Sequence, residues 1–256
     1  MRFAFVTGAS GGIGSAIARS LAANGYAIGV GYRGNAAAAD QVVAGLGGAG
    51  HRTYCIDVAD AASITDAVTR VGNDAGVCDV LVNCAGVTRP VPHDDLDALD
   101  DATIDRIFAT NFRGAFATVR AFLPLLRRSP IANVVNVSSV AATTGLGSNV
   151  AYCASKAALD SMTRSLARAL APDVRVNSVA PGWVRGEYAD KMPTGVVEEQ
   201  ERATPLGRLA TPDEVGRAVV ALTEMLSFTT GAVIAVDGGR PLGITRAAND
   251  LISTGG

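Results

Sequence analysis

The stretch Arg2-Phe3-Ala4-Phe5-Val6-Thr7-Gly8-Ala9-Ser10-Gly11-Gly12-Ile13-Gly14, followed by Ser15-Ala16-Ile17-Ala18-Arg19-Ser20-Leu21-Ala22-Ala23, decides the reading of this chain. Its first residues form a short apolar run with β-branched and aromatic members, which predicts a buried strand over Arg2–Thr7. Its last residues place Ile13, Ile17 and Leu21 at helical spacing, and Asn24-Gly25 supplies a stop, so a helix is predicted over Ile13–Ala23. Between them Gly8, Gly12 and Gly14 stand in a turn that carries the chain from strand to helix. Closely spaced glycines let a backbone turn tightly and approach a pyrophosphate at the N-terminus of the helix that follows. The spacing is one residue longer than G-x-G-x-x-G, and a purely structural turn is the alternative. The strand-turn-helix context favours the phosphate reading. A P-loop would need a lysine after its last glycine, and Gly14 is followed by Ser15 and Ala16, which disfavours nucleotide hydrolysis.

Further strand-like runs recur at Tyr26–Tyr32, His51–Asp57, Asp79–Asn83, Ala132–Ser138, Val174–Ala180 and Ala232–Val236, with helix-length segments between them. This alternation predicts a doubly wound, mostly parallel seven-stranded α/β sheet with helices on both faces. Thr211-Pro212-Asp213-Glu214 combines a cap, an early proline and a glutamate that can close a capping box before Val215–Glu224. No linker or repeat divides the chain, so residues 1–256 read as a single domain, and the polar segment 186–204 reads as a substrate lid.

Composition narrows the function. Of 256 residues 48% are apolar and 18% charged, enough for one well-buried core. With 22 basic against 24 acidic residues, no strong basic field is present to hold nucleic acid or an anionic membrane. No apolar run reaches the length of a spanning helix or a signal h-region, so a soluble, cytoplasmic protein is expected. Cys55, Cys78, Cys84 and Cys153 form no CxxC pair, and His51 and His93 are the only histidines. No metal site is expected, and the cysteines read as buried, reduced thiols.

The chemistry concentrates in the second half. Tyr152-Cys153-Ala154-Ser155-Lys156 lies in a helical pattern, so Tyr152 and Lys156, four residues apart, project from one face. A nearby cation favours the phenolate, which lets a tyrosine exchange a proton with an alcohol near neutral pH. The lysine can also donate to the ribose of a bound dinucleotide. A surface pair is the bland alternative. With five tyrosines and only two lysines among 22 basic residues, chance pairing is disfavoured. Thirteen residues earlier, Asn136-Val137-Ser138-Ser139-Val140 ends a strand and puts Ser139 at the carboxyl edge of the sheet, where it can donate to a carbonyl oxygen. A serine nucleophile would need an adjacent base and a nucleophile elbow, and neither is present. At the end of the second strand an NAD-specific site presents a carboxylate. This chain has Tyr32-Arg33-Gly34-Asn35, with no acid nearby in sequence, and a guanidinium there suits the 2′-phosphate of NADP; a solvated surface arginine is the alternative.

Together these residues resemble the short-chain dehydrogenase/reductase family over residues 2 to about 243. The loop Thr7-Gly8-x3-Gly12-x-Gly14, with Ser10, Gly11 and Ile13, looks like the family's cofactor loop. Asp57-Val58 looks like its adenine contact, and Asn83-Cys84-Ala85-Gly86 like its Asn-Asn-Ala-Gly element with Cys for the second Asn. Asn111, Ser139, Tyr152 and Lys156 match its catalytic tetrad, in which the asparagine holds a proton-relay water. Pro181-Gly182-Trp183-Val184 resembles the loop that contacts the nicotinamide, and Val236-Asp237-Gly238-Gly239 the last strand. The resemblance implies an NADP(H)-dependent oxidoreductase interconverting a carbonyl and a secondary alcohol, nearest to the 3-oxoacyl-(acyl-carrier-protein) reductases. Sugar, polyol or steroid dehydrogenases are the alternative, and a non-catalytic cofactor-binding regulator is a more distant one. It also implies a homotetramer and a small-molecule substrate, in one version carried on acyl carrier protein or CoA. Two departures stand out: Gly186 replaces a threonine that many relatives carry, and Gly11 replaces a basic residue found in many NADP-preferring relatives, which leaves Arg33 most of the 2′-phosphate recognition. Arg127 and Arg128 could meet an acidic carrier, and a solvated pair is an equal reading.

Overall fold

The computed structural model describes residues 1–193 and 195–243. Seven strands, β1 (Arg2–Val6), β2 (Tyr26–Tyr32), β3 (Arg52–Cys55), β4 (Val80–Asn83), β5 (Asn133–Val137), β6 (Arg175–Pro181) and β7 (Val233–Val236), form one sheet in the order β3-β2-β1-β4-β5-β6-β7. Every pairing is parallel, so the sheet is wholly rather than mostly parallel. Between them lie helices α1 (Gly12–Ala23), α2 (Ala36–Ala44), α3 (Ala61–Asp74), α4 (Asp101–Phe108), α5 (Ala115–Leu126), α6 (Ala141–Thr144), α7 (Val150–Leu170), α8 (Glu187–Asp190), α9 (Val196–Arg202) and α10 (Pro212–Val220).

A strand covered on both faces is apolar at nearly every position, as β1 is after Arg2. Phe3 and Phe5 join a core with Tyr54, Leu81, Phe122 and Val134 under α3, α5 and α7. Ala4 and Val6 point the other way, into a core with Ile17, Leu21, Val135 and Val219 under α1, α2 and α10. Aromatic packing fills the first layer, with Phe5 and Phe122 ring centroids 4.8 Å apart.

β1, β4, β5 and β7 are one or two residues and β3 three residues shorter than the sequence suggests, β2 has its expected bounds, and β6 keeps its expected length one residue further on, reaching Pro181. The Thr211 capping box is present, with the Glu214 carboxylate accepting from the Thr211 amide at 2.8 Å. The expected helix after it begins earlier, at Pro212, and beyond Val220 widens into π-helical turns over Ala221–Met225. The segment 186–204 folds partly as the short helices α8 and α9. Residues 194 and 244–256 of the expected domain, the first of them within the expected lid, lie outside the described residues. The cysteines also need correction. Cys78 and Cys153 are buried and Cys84 partly so, but Cys55 is exposed, because β3 is an edge strand whose outward residues meet solvent. The strand order reverses beside β1, which neighbours both β2 and β4. This topology opens a crevice at the carboxyl ends of the strands.

Candidate functional site

The glycine turn sits at that crevice, and its tightness is steric. Gly8 has φ +66°, and a side chain there would put Cβ 2.9 Å from the Ala85 backbone. A Cβ on Gly14 would lie 2.3 Å from the Gly8 carbonyl oxygen, so the first turn of α1 packs directly on the loop. Gly11 and Gly12 have nothing within 4 Å of a notional Cβ. Gly11 caps α1 without a side-chain acceptor, so the leading amides of the helix are left for an anion. Ile13 packs against the core beneath, and Ser10 lines a hollow of about 250 Å³ with Arg19, Ala38 and Gln41. Thr7 ties the turn to the next strand: its buried Oγ1 accepts from the amides of Cys84 and Ala85, both at 3.0 Å. Asn83 is held from below, its Nδ2 donating to Asn136 Oδ1 at 2.9 Å. An open backbone cradle at a bare helix N-terminus is what a dinucleotide pyrophosphate requires, and these residues fit one.

Arg33 follows β2, and the carboxyl end of β3 brings Asp57 beside it, Arg33 Nη1 lying 3.9 Å from Asp57 Oδ2. The reading that no acid stands near Arg33 holds only along the sequence. The β2–β3 pairing, in which Tyr32 faces Cys55, delivers a carboxylate across the strand gap. Arg33 is half exposed, so the contact is worth only about 0–1 kcal/mol. Asp57 is fixed by its own turn, its Oδ1 accepting from Ala59 N at 2.9 Å and its amide donating to Ser63 Oγ at 2.8 Å. Val58 beside it is buried.

The four residues matched to the tetrad come from three elements. Asn111 lies where α4 widens into a π-helical segment, Ala109–Gly114, a distortion that recurs at functional sites. Its side chain is wholly engaged: Oδ1 accepts from Val87 N at 2.8 Å, and Nδ2 donates to Val87 O at 3.0 Å and Ser155 Oγ at 3.1 Å. Tyr152 and Lys156 share one face of α7, with Lys156 Nζ 5.8 Å from the tyrosine ring centroid. Asn149 caps this helix and sets the phenol's backbone by accepting from Tyr152 N at 2.7 Å. Lys156 is buried and donates to Val137 O at 2.7 Å; desolvation pushes its ammonium down to about 8, opposed by Cys84 and Asp160. Gly86 closes the gap between helices, its notional Cβ 3.5 Å from Asn111 Oδ1 and 3.7 Å from Lys156 Nζ. Ser139, at the end of β5, is half buried, its Oγ accepting from Ala141 N at 3.2 Å.

The loop after β6 borders the same edge. Val140 N donates to Pro181 O, Gly182 N donates to Val236 O, both at 3.0 Å, and Val184 bridges to Ala210. Glycine at 182 is demanded by Asp237, whose Cα would lie 3.0 Å from a Cβ there. The fold therefore gathers every candidate cofactor and catalytic residue at one edge. It does not bring Arg127 and Arg128 there. They follow α5 and precede β5, whose five residues run about 17 Å from that end to Ser139. Both are also engaged, Arg127 with Asp173 at 4.0 Å and Arg128 with Gly76 O at 2.9 Å. Among the described residues no three His, Cys, Asp or Glu side chains cluster as metal ligands, and no helix is long and apolar enough to cross a membrane.

Sequence reading passed over Asn149, Ser155 and Asn136. The first was legible as a helix cap before Val150, and Asn136 as an amide inside an apolar strand that must find a partner. Ser155 carries no signal of its own, since its role is set by the crossing of α7 and the π-helical segment.

The family model described as Enoyl-(Acyl carrier protein) reductase matches residues 8–240. The chain is 37% identical over 242 residues to cis-4-hydroxycyclohexanecarboxylate dehydrogenase of Sinomonas cyclohexanicum, covering 93% of this chain and 96% of that protein. It is 33% identical over 240 residues to the 3-oxoacyl-(acyl-carrier-protein) reductase FabG of Staphylococcus aureus, covering 92% and 96%. The solved short-chain dehydrogenase/reductase SDR:glucose/ribitol dehydrogenase of Brucella melitensis superposes with a TM-score of 0.86 at 32% identity, covering 93% and 96%. With the glycine cradle, the parallel sheet and the Tyr152-Lys156 helix at one crevice, these matches show that the chain belongs to the short-chain dehydrogenase/reductase family, oxidoreductases that act on a CH-OH or C=O group.

Proposed function

We propose that this protein reduces the carbonyl of a 3-oxoacyl thioester to a secondary alcohol with NADPH, or runs the reverse reaction. The observation that carries the reaction is the meeting of Asn111, Gly86 and Lys156 within a few ångströms, on the face of α7 that also bears Tyr152. The cofactor, held by Gly8, Ser10, Gly11, Gly12, Ile13, Gly14, Asp57, Val58, Asn83, Ala85, Gly86, Pro181, Gly182 and Val184, supplies the hydride when bound. Ser139 Oγ and the Tyr152 hydroxyl hold the substrate oxygen, and Tyr152 gives it a proton as negative charge develops there. Lys156 keeps a positive charge behind the phenol and donates to the nicotinamide ribose. Asn111, its carboxamide locked by Val87 and Ser155, is fixed in the π-helical turn, where its backbone holds the water through which the phenol regains its proton. Arg33 receives the 2′-phosphate, which makes NADP the preferred cofactor, and segment 186–204 closes over the substrate. The working unit is a homotetramer in the cytoplasm.

The thioester reading is supported by the FabG relative. The placement of Arg127 and Arg128 away from the site edge favours a substrate presented on CoA or a short thiol over one delivered by a carrier protein docked on that pair. The cyclic alcohol relative, 37% identical, supports a second reading as an alcohol or polyol dehydrogenase. A side-by-side assay of acetoacetyl-CoA, a cyclic ketone and a ketose with NADPH separates them. The thioester should show the highest kcat/KM, and a higher value for either other substrate overturns the thioester assignment.

A further inference from the structure

Behind Lys156 the molecule buries a carboxylate that the reaction sketched above does not use. Asp160 stands one helical turn along α7 on the same buried face as Lys156 and is only 3% exposed. Its Oδ1 has no hydrogen-bond partner. An apolar residue would pack here at no desolvation cost, so a carboxylate needs a reason. It borders a cavity of about 430 Å³ that Ser139 and Asp237 also line. A chain of buried polar groups leads toward it: Asn83 to Asn136 at 2.9 Å, Asn136 to Thr163 at 2.8 Å, and Thr163 to Ser178 at 2.8 Å.

We propose that Asp160 is a positioning residue for Lys156: from the next turn of α7 its carboxylate holds the buried ammonium in the charged form, and the cavity beside Ser139 gives that carboxylate access to small solutes. The Lys156 ammonium already donates to Val137 O, so Asp160 acts through space rather than by replacing that bond. Burial drives both groups toward their neutral forms, raising the Asp160 carboxyl and lowering the Lys156 ammonium, and their attraction opposes both shifts. The other groups that act on the pair are few. Ser138, just after β5, and Ser178, in β6, favour the carboxylate, as does Arg164 one turn further along α7. Cys84, after β4, acts on the ammonium, and Asp237, after β7, lines the cavity. The catalytic meaning of this hold rests on the role assigned to Lys156 above.

The chain has only two lysines, Lys156 and Lys191, so a titration of protein carrying 13C at lysine Cε reads Lys156 directly, without substrate or turnover. In wild type its resonance should titrate near 8. In Asp160→Asn the midpoint should fall by about one pH unit, and the alkaline limb of kcat/KM should move down with it. Asp160→Ser, smaller and neutral, carries the same expectation should the amide fail to pack. In Asp160→Gly, added formate, small enough for the cavity, should return the midpoint toward the wild-type value. A midpoint that stays in place in the folded Asn and Ser variants overturns the proposal. A midpoint that falls while the rate profile stays still supports the hold of Asp160 on Lys156 and counts against the catalytic role of the lysine, so the two failures are distinguishable.

Discussion

Replacing Lys156 by methionine should make the protein more stable at neutral pH relative to its behaviour in alkali, and the size follows from burial. The side chain is almost fully enclosed, and desolvation lowers its ammonium from 10.5 to about 8. At about 1.4 kcal/mol per pH unit, the folded wild type carries a penalty of about 3 kcal/mol for keeping this group charged below pH 8. The unfolded chain binds the proton more tightly, so between about 8 and 10.5 it holds more protons than the folded state, and wild-type stability rises with pH through that window. Methionine has a similar linear stem and no charge, so it lacks this slope. It also leaves the Val137 carbonyl, which accepts from Nζ at 2.7 Å, without that donor, at a cost of about 1–3 kcal/mol. The two terms nearly offset at pH 7, so the trend is the decisive quantity. Urea unfolding of both proteins from pH 7 to 10.5 should show wild type gaining about 3 kcal/mol on Lys156→Met, with nearly all of the gain above pH 8. A stability difference that stays flat across the range would refute the burial argument and leave Lys156 solvated in the folded state.

Tyr152→Phe should keep cofactor affinity within about twofold and lose more than about 90% of turnover, since the ring still packs while the transferable proton is gone; steady-state kinetics and fluorescence titration read the two effects. NADPH should bind about tenfold more tightly than NADH, at the low end for a guanidinium on a phosphate because Asp57 competes for Arg33; Arg33→Ala should remove most of that margin, and equal affinities in the unmutated protein would sink the NADP assignment. Thr7→Val should lower Tm by roughly 5–10 °C and weaken cofactor binding, because two amides at 3.0 Å lose their acceptor inside the fold; an unchanged melting curve would mean the loop does not depend on this staple.

The order of strands and helices was written in local pattern. Apolar runs of five to seven residues alternate with helical spacing, and that alternation admits few architectures other than a doubly wound parallel sheet. The glycine turn, the Tyr152-Lys156 spacing and the Thr211 capping box were legible for the same reason, since each is made by residues within one or two helical turns of one another. Other features needed the third dimension because their partners lie far apart along the chain. Asp57 reaches Arg33 only through the β2–β3 ladder, 23 residues lying between them, and the exposure of Cys55 follows from β3 being an edge. Asn111 meets Ser155, and Lys156 meets Val137, only where α7 crosses the π-helical segment and β5. The low proton affinity of Lys156 and the buried carboxylate of Asp160 depend on how completely water is excluded at that crossing. Exclusion of water is a property of packed layers, which no local window of residues contains.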